Sequence, residues 1–85
     1  MAMHHSSDLL KAARVLLGLK QDELAEQANI ARHTLRRLEA GKENVTKNTV
    51  EAIVKVLEEK GIEFILPTAE KGPGIRWRSK GKLGE

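Results

Sequence analysis

The sequence predicts a mainly α-helical protein, a compact bundle of four helices followed by a short C-terminal β-strand or hairpin. Apolar residues recur at helical spacing through roughly the first sixty positions and at extended spacing after Gly61. Aromatic residues are scarce, with one Phe and one Trp among 85 residues. Leu, Ile, Val and Ala must therefore fill the core, a composition that suits packed helices better than a β-sandwich.

Length and composition limit the possible functions. A chain of 85 residues supports one small core, which excludes most enzymes that enclose a substrate. The absence of Cys excludes a disulfide scaffold and a thiolate metal site. The close pair His4 and His5 has no carboxylate neighbour, so we predict no metal and no cofactor. Without a catalytic constellation, the chain is not expected to be an enzyme.

The first two helices are predicted over residues 8–17 and 21–28. Ser6 or Ser7 can cap the first helix, and Gly18 stops it. Asp22 and Glu23 suit the positive N-terminal end of the second helix. The inner face of the first helix is predicted to consist of Leu9, Leu10, Ala13, Leu16 and Leu17.

A tight turn at Asn29 leads into a third helix, predicted over residues 32–39 and closed by Gly41. Asn is the residue other than Gly that most readily adopts a left-handed backbone.

The fourth helix is marked by apolar residues at i, i+3, i+4 and i+7 from Val50. Asn48 with Glu51 resembles a capping box, and Gly61 suits a Schellman-type ending.

Two segments after Gly61 have the pattern of β-strands. Residues 62–66 (IEFIL) are rich in β-branched and aromatic side chains and end at Pro67, and residues 75–78 (IRWR) alternate apolar and basic side chains. They could pair within one chain or between chains. We favour a sheet shared between two protomers, whose buried face and dimerisation surface would consist of Ile62, Phe64, Ile75 and Trp77. In the alternative interpretation, Trp77 between two arginines stacks on nucleic-acid bases.

The most informative stretch is residues 21–40. Two helices can cross through a short turn if the first has a small residue at the contact and the turn accepts a left-handed backbone. Ala25 and Asn29 meet these two requirements, and Leu24, Leu35 and Leu38 supply apolar inner faces. Their spacing is that of a helix-turn-helix.

In this register, the chain resembles the XRE family of Cro-like and lambda-repressor-like DNA-binding domains. The resemblance covers roughly residues 8–60 and depends on residues 19–25 (LKQDELA), 29–32 (NIAR) and 35–42 (LRRLEAGK). It implies a helix-turn-helix domain over residues 8–61 and a β element, for dimerisation, over 62–78. Residues 1–7 and 79–85 are predicted to be a flexible N-terminus and a flexible basic tail.

The resemblance also implies how the chain contacts DNA, because the second helix of this motif enters the major groove. By position, the base-reading residues would be Arg32, His33, Arg36 and Arg37. Arginine suits this role, since its guanidinium donates two hydrogen bonds to guanine. The residues that contact phosphates and position the protein would be Gln21, Lys42, Asn44 and Lys47.

Other matched positions bear on stability. Arg14 and Glu39 correspond to a pair that forms a partly buried salt bridge in relatives. Lys20 and Ala31 stand where the family usually has Ser or Thr, so neither offers an N-cap oxygen. Gly is likewise commoner than Asn29 at the turn. The resemblance therefore implies motif helices that are less well capped than in most relatives.

These features together indicate a homodimeric transcriptional regulator, most simply a repressor, that binds an inverted-repeat operator. Residues 32–42 have a net charge of +3 and the last fifteen residues +4, as expected for a partner of double-stranded DNA. Without a signal peptide or an apolar membrane span, the protein is expected to be soluble and cytoplasmic. Two alternatives are an antitoxin that binds its operator and docks a toxin, and a protein-bridging adaptor that binds DNA weakly.

Overall fold

Four helices and a two-stranded antiparallel hairpin form the protein in the computed structural model, which describes residues 6–42 and 45–79. This architecture confirms the predicted fold class. In chain order, the elements are α1 (Ser7–Leu16), α2 (Gln21–Ala28), α3 (Arg32–Glu39), α4 (Lys47–Glu59), β1 (Ile62–Ile65) and β2 (Gly74–Trp77).

Helix α1 begins at a serine cap, as the sequence predicts. The side chain of Ser6 accepts a hydrogen bond from the backbone N–H of Leu9. Ser7, predicted to belong to a flexible N-terminus, is instead the first residue of the helix. The inner position expected for Leu16 is wrong, because its side chain is 42% exposed. The buried face is centred on Leu10, Ala13 and Leu17, and Leu16 lies about 100° from Leu17 around the axis.

Helix α4 begins at Lys47, one residue before the cap that the sequence predicted at Asn48. The hydroxyl of Thr46 accepts a hydrogen bond from the N–H of Thr49 at 3.1 Å, so Thr46 is the N-cap. The predicted capping box at Asn48 is wrong, since Asn48 lies inside the helix. At the other end, Gly61 has φ +110°, which a side chain would strain, and its N–H donates to the carbonyl of Glu58.

The core draws on every helix and on the hairpin. Its six largest fully buried side chains are Leu10, Leu24, Leu35, Ile53, Leu57 and Ile62. Helix α3 packs against α1 and α2, whereas the hairpin packs against α1 and α4. Helix α1 therefore lies between α3 and the hairpin and contacts both. Among the described residues, no helix is long and apolar enough to cross a membrane.

The two strands pair within one chain, which answers the question that the sequence left open. Ile62 lies opposite Trp77, and Phe64 lies opposite Ile75. These four side chains pack on the chain's own helices, with Ile62 fully buried and the others partly buried. The intramolecular pairing differs from the sheet shared between protomers that the sequence favoured. A dimer contact by the same residues stays a prediction.

The hairpin's other face carries an exposed ion pair. The guanidinium of Arg76 donates to both carboxylate oxygens of Glu63, at 3.1 and 3.2 Å. This hydrogen bonding lowers the pKa of Glu63 and raises that of Arg76.

Each strand ends one residue earlier than predicted. Leu66 is 74% exposed, and the N–H of Arg78 donates to the carbonyl of Gly61 beyond the last strand residue.

The position of the α4 cap gives a first testable prediction. Thr46→Ala should lower the free energy of unfolding by roughly 1 kcal/mol, because the N–H of Thr49 loses its acceptor. Asn48→Ala is the matched control and should be neutral or slightly stabilising, since Ala is the better residue inside a helix. Urea unfolding followed by circular dichroism measures both. A larger loss for Asn48→Ala would return the cap to that residue.

Candidate nucleic-acid interface

Helices α2 and α3 are joined by a turn whose geometry follows from its residues. Asn29 has φ +60° and ψ +45°, the left-handed conformation that the sequence predicts at this position. The N–H of Ile30 donates to the carbonyl of Ala25 at 2.9 Å and so satisfies one of the free carbonyls at the end of α2. Ile30 also packs against the core. The turn therefore fixes the direction in which α3 leaves α2.

Helix α3 has one apolar face and one basic face. Leu35 and Leu38 are buried against the other helices. The residues predicted to read bases are all exposed and lie at i, i+1, i+4 and i+5, which places them on one side of the helix. They are Arg32, His33, Arg36 and Arg37. The structure thus brings the four predicted residues together in one basic surface, called here the α3 basic face.

A buried carboxylate holds the C-terminal end of α3. The side chain of Glu39 is only 3% exposed, and its two oxygens accept hydrogen bonds from Arg14 Nε at 2.7 Å and Arg14 Nη2 at 2.9 Å. The remaining Arg14 nitrogen, Nη1, donates to the carbonyl of Leu19 at 2.8 Å. The pair that the sequence assigned to a structural salt bridge therefore joins α1, the loop after α1 and α3.

Gln21 belongs to the same hydrogen-bond network. Its Nε2 donates to Glu39 Oε1 at 3.0 Å, and the side chain is half-buried at the first position of α2. A carboxylate can only accept, so the amide nitrogen must point toward Glu39, and it retains a second N–H. The sequence predicted a phosphate contact for Gln21 but not this bond. Residues 18 positions apart give no local signal of contact.

The other predicted phosphate contacts lie around the loop between α3 and α4. Lys42 is exposed just after α3, and its N–H donates to the carbonyl of Arg37. Lys47 is the first residue of α4, its side chain is 87% exposed, and its ammonium lies 4.0 Å from a carboxylate oxygen of Glu51. Asn44 lies outside the described residues. The backbone hydrogen bond from Lys42 to Arg37 thus places Lys42 directly beside the C-terminal end of the α3 basic face.

The helices of the motif begin without side-chain caps, as the departures at Lys20 and Ala31 imply. The side chain of neither residue accepts a hydrogen bond from a backbone N–H of its helix. At α2, Glu23 Oε1 accepts from the N–H of Lys20 at 2.8 Å, which is half of a capping box. Within the described chain, no group of three His, Asp or Glu side chains could hold a metal ion.

Comparisons with known proteins agree with this geometry. The family model described as "Helix-turn-helix" matches residues 10–64, which include all of α2, α3 and α4. Similar solved structures include three variants of the restriction-modification controller protein C.Esp1396I, each with one residue replaced. Each is 33% identical over 61% of this chain and 66–69% of the controller chain, with a TM-score of 0.56 or 0.57. No curated protein matches the sequence.

The Glu39 network gives a second prediction. Arg14→Leu should lower the free energy of unfolding by roughly 3–5 kcal/mol, because it leaves the buried carboxylate of Glu39 without its cation. Replacing both Arg14 and Glu39 by Leu should recover most of the lost free energy of unfolding, since no buried charge remains. The exposed Lys11→Leu, on the same helix, is the control and should change stability by no more than about 0.5 kcal/mol. Chemical unfolding of the wild type and the three variants measures these free energies. Equal losses for Arg14→Leu and for the double variant would contradict the prediction.

Proposed function

The chain belongs to the XRE-type helix-turn-helix family of DNA-binding transcriptional regulators, and we propose that it acts as a homodimeric repressor that reads an inverted-repeat operator. The α3 basic face is the part that enters the major groove. Arg32, His33, Arg36 and Arg37 read base edges. Gln21, Lys42, Asn44 and Lys47 contact phosphates and fix the orientation of the domain.

The observation that carries this proposal is the contrast between the two sides of α3. One side is anchored by Leu35, Leu38 and Glu39, which are all buried. The other side exposes three arginines and one histidine. A rigidly held helix with exposed guanidinium groups can present its hydrogen-bond donors to guanine in a fixed geometry.

The requirement for specificity supports the dimer. One recognition helix reads only about four to six base pairs, too few to identify a unique genomic site, whereas two helices about one DNA turn apart double the readout. A dimer with two-fold symmetry matches an inverted repeat. Repression follows most simply when such a dimer covers a promoter. In this proposal the chain binds DNA and catalyses no reaction.

The similarity to C.Esp1396I favours a more specific candidate. That protein is a restriction-modification controller, and this chain is one third identical to it over most of both chains. The genes that this chain regulates would then be those of a restriction endonuclease and its methyltransferase. The genomic position of the operator tests this candidate function. A site upstream of such a gene pair would support it, and a site elsewhere would contradict it.

Selection of binders from a randomised duplex library at near-physiological salt tests the proposal directly. We expect an enriched inverted repeat whose half-site centres lie about one helical turn apart. Binding to that site should exceed binding to scrambled DNA by a factor of about 10³ or more. An enriched single half-site would contradict the dimer. A pool without a motif, bound only at low salt, would contradict sequence-specific regulation and favour the adaptor.

The division between base-reading and phosphate-contacting residues gives a further prediction. Arg37→Ala should weaken binding to the preferred site by roughly 1–3 kcal/mol and relax the base preference at one position of each half-site. Lys47→Ala is the matched control, since it should weaken all sequences alike and reduce the salt dependence of binding. Titrations of preferred and single-mismatch duplexes at several salt concentrations measure both. If Lys47→Ala changed the preferred base, the assignment of the two roles would be reversed.

A further inference from the structure

Three of the four side chains of the α3 basic face can only donate hydrogen bonds. Helix α3 has the sequence RHTLRRLE, and Arg32, Arg36 and Arg37 each carry a guanidinium, which has N–H donors and no acceptor. The helix contains no Asn and no Gln. Its one carboxylate, that of Glu39, is buried and already accepts hydrogen bonds from Arg14. The α3 basic face therefore offers an excess of donors to whatever it contacts.

The other polar side chains of α3 add little capacity to accept hydrogen bonds. Thr34 is half-buried. A neutral His33 has one acceptor nitrogen and one donor nitrogen, and a protonated His33 has two donors. Neither side chain has the amide group, with its donor and acceptor on one carbon, through which Asn and Gln pair with adenine. Recognition by this face must therefore depend mainly on acceptors of the DNA bases.

The guanidinium groups at the start of α3 differ in their surroundings from other arginines of the fold. Arg14 and Arg76 each donate two hydrogen bonds to the carboxylate of a glutamate. Among the described residues, no hydrogen bond or ion pair involves the side chain of Arg32 or of Arg36. The donors of these two exposed side chains are therefore not committed to any described part of the chain.

From this excess of donors, we infer that the α3 basic face is specific for guanine, so that each half-site of the operator presents guanines to it in the major groove. The inference rests on the proposed function and names the base that its recognition helix reads. At the major-groove edge, guanine presents two neighbouring acceptors, N7 and O6. Arginine matches them with two parallel N–H donors.

The same donors discriminate against the other bases. Adenine keeps N7 but has an amino group in place of O6, so that one donor of a guanidinium would face another donor. Thymine offers the single acceptor O4 beside a methyl group, and cytosine offers a donor. Replacement of guanine by adenine would thus leave an N–H of the arginine without a partner at the interface, which is costly for a charged donor.

The positions of the arginines on α3 give the spacing of the guanines. Arg32 is the first residue of α3, and the N-terminal residues of a recognition helix contact base edges. Arg36 lies one helical turn later, about 6 Å along the axis and about 40° around it. Successive base pairs are about 3.4 Å apart. With α3 lying along the groove, the two guanidinium groups therefore reach guanines that are about two base pairs apart.

Base analogues test this inference with the full chain and the duplex that it selects. 7-Deazaguanine replaces the N7 acceptor of guanine by C–H, whereas inosine keeps N7 and O6 and lacks only the minor-groove amino group. Each guanine is replaced by each analogue in both half-sites, and inosine is the matched control. At the guanines that arginine reads, 7-deazaguanine should raise the dissociation constant at least about tenfold, because one charge-assisted hydrogen bond is lost. Inosine should change it by less than about threefold.

Arg32→Gln tests the assignment of one guanine to one residue. Glutamine offers the donor and acceptor that pair with N7 and N6 of adenine. Library selection with this variant should enrich adenine in place of guanine at one position of each half-site, with the other positions unchanged. Arg32→Met is the matched control, because it has similar length and no amide, and it should lose the preference for guanine without gaining one for adenine. If both variants still select the guanines of the wild type, the inferred contact of Arg32 is wrong.

The outcomes separate this inference from the proposed function. An inverted repeat whose guanines are sensitive to 7-deazaguanine and insensitive to inosine supports both. An inverted repeat without guanines, or with guanines that tolerate 7-deazaguanine, overturns the guanine readout and leaves the proposed regulator intact. Greater sensitivity to inosine would place the contact in the minor groove and also overturn the readout. A pool without a motif contradicts the proposed function, and the inference with it.

Discussion

The orientation of α3, and with it the whole α3 basic face, depends on the buried carboxylate of Glu39. A desolvated charge is tolerated only where it is paired and hydrogen-bonded. Arg14 supplies two of its hydrogen bonds and Gln21 a third. The network therefore connects α1, α2 and α3 at one point, and no buried side-chain nitrogen or oxygen in the described residues lacks a partner.

This arrangement explains how the motif tolerates weak helix caps. Helices of eight residues are too short to be stable alone, and neither Lys20 nor Ala31 offers a capping oxygen. Their stability must come from packing. Leu24 and Leu35 are fully buried, and Gln21 at the start of α2 is held by Glu39 at the end of α3. Tertiary contacts thus replace the missing local bonds, and the two helices keep the bounds that the sequence predicted.

The sequence predicted best those features that depend on neighbouring residues. Asn29 adopts the left-handed turn, and the basic residues of α3 lie on one face, because helical periodicity and local backbone preferences determine both. Predictions from the sequence were wrong or incomplete where two local signals competed, or where a residue's partner is distant along the chain. Thr46 and Asn48 are both good caps, and the structure has Thr46 in that position. The bond between Gln21 and Glu39 has no signature in either segment, and the exposure of Leu16 depends on how the other elements pack on α1.

Helix α1 has a further role, since it contacts both α3 and the hairpin. Its Arg14 side holds α3 through Glu39, and the same helix contacts β2. In the proposed homodimer, if the C-terminal hairpin forms the interface, the distance between the two α3 helices would be set by how α1 packs between the hairpin and α3 in each copy. The half-site spacing of the proposed operator would then depend on how α1 packs. Substitutions in the core below α1 would alter the spacing preference without replacing any residue that is predicted to contact DNA.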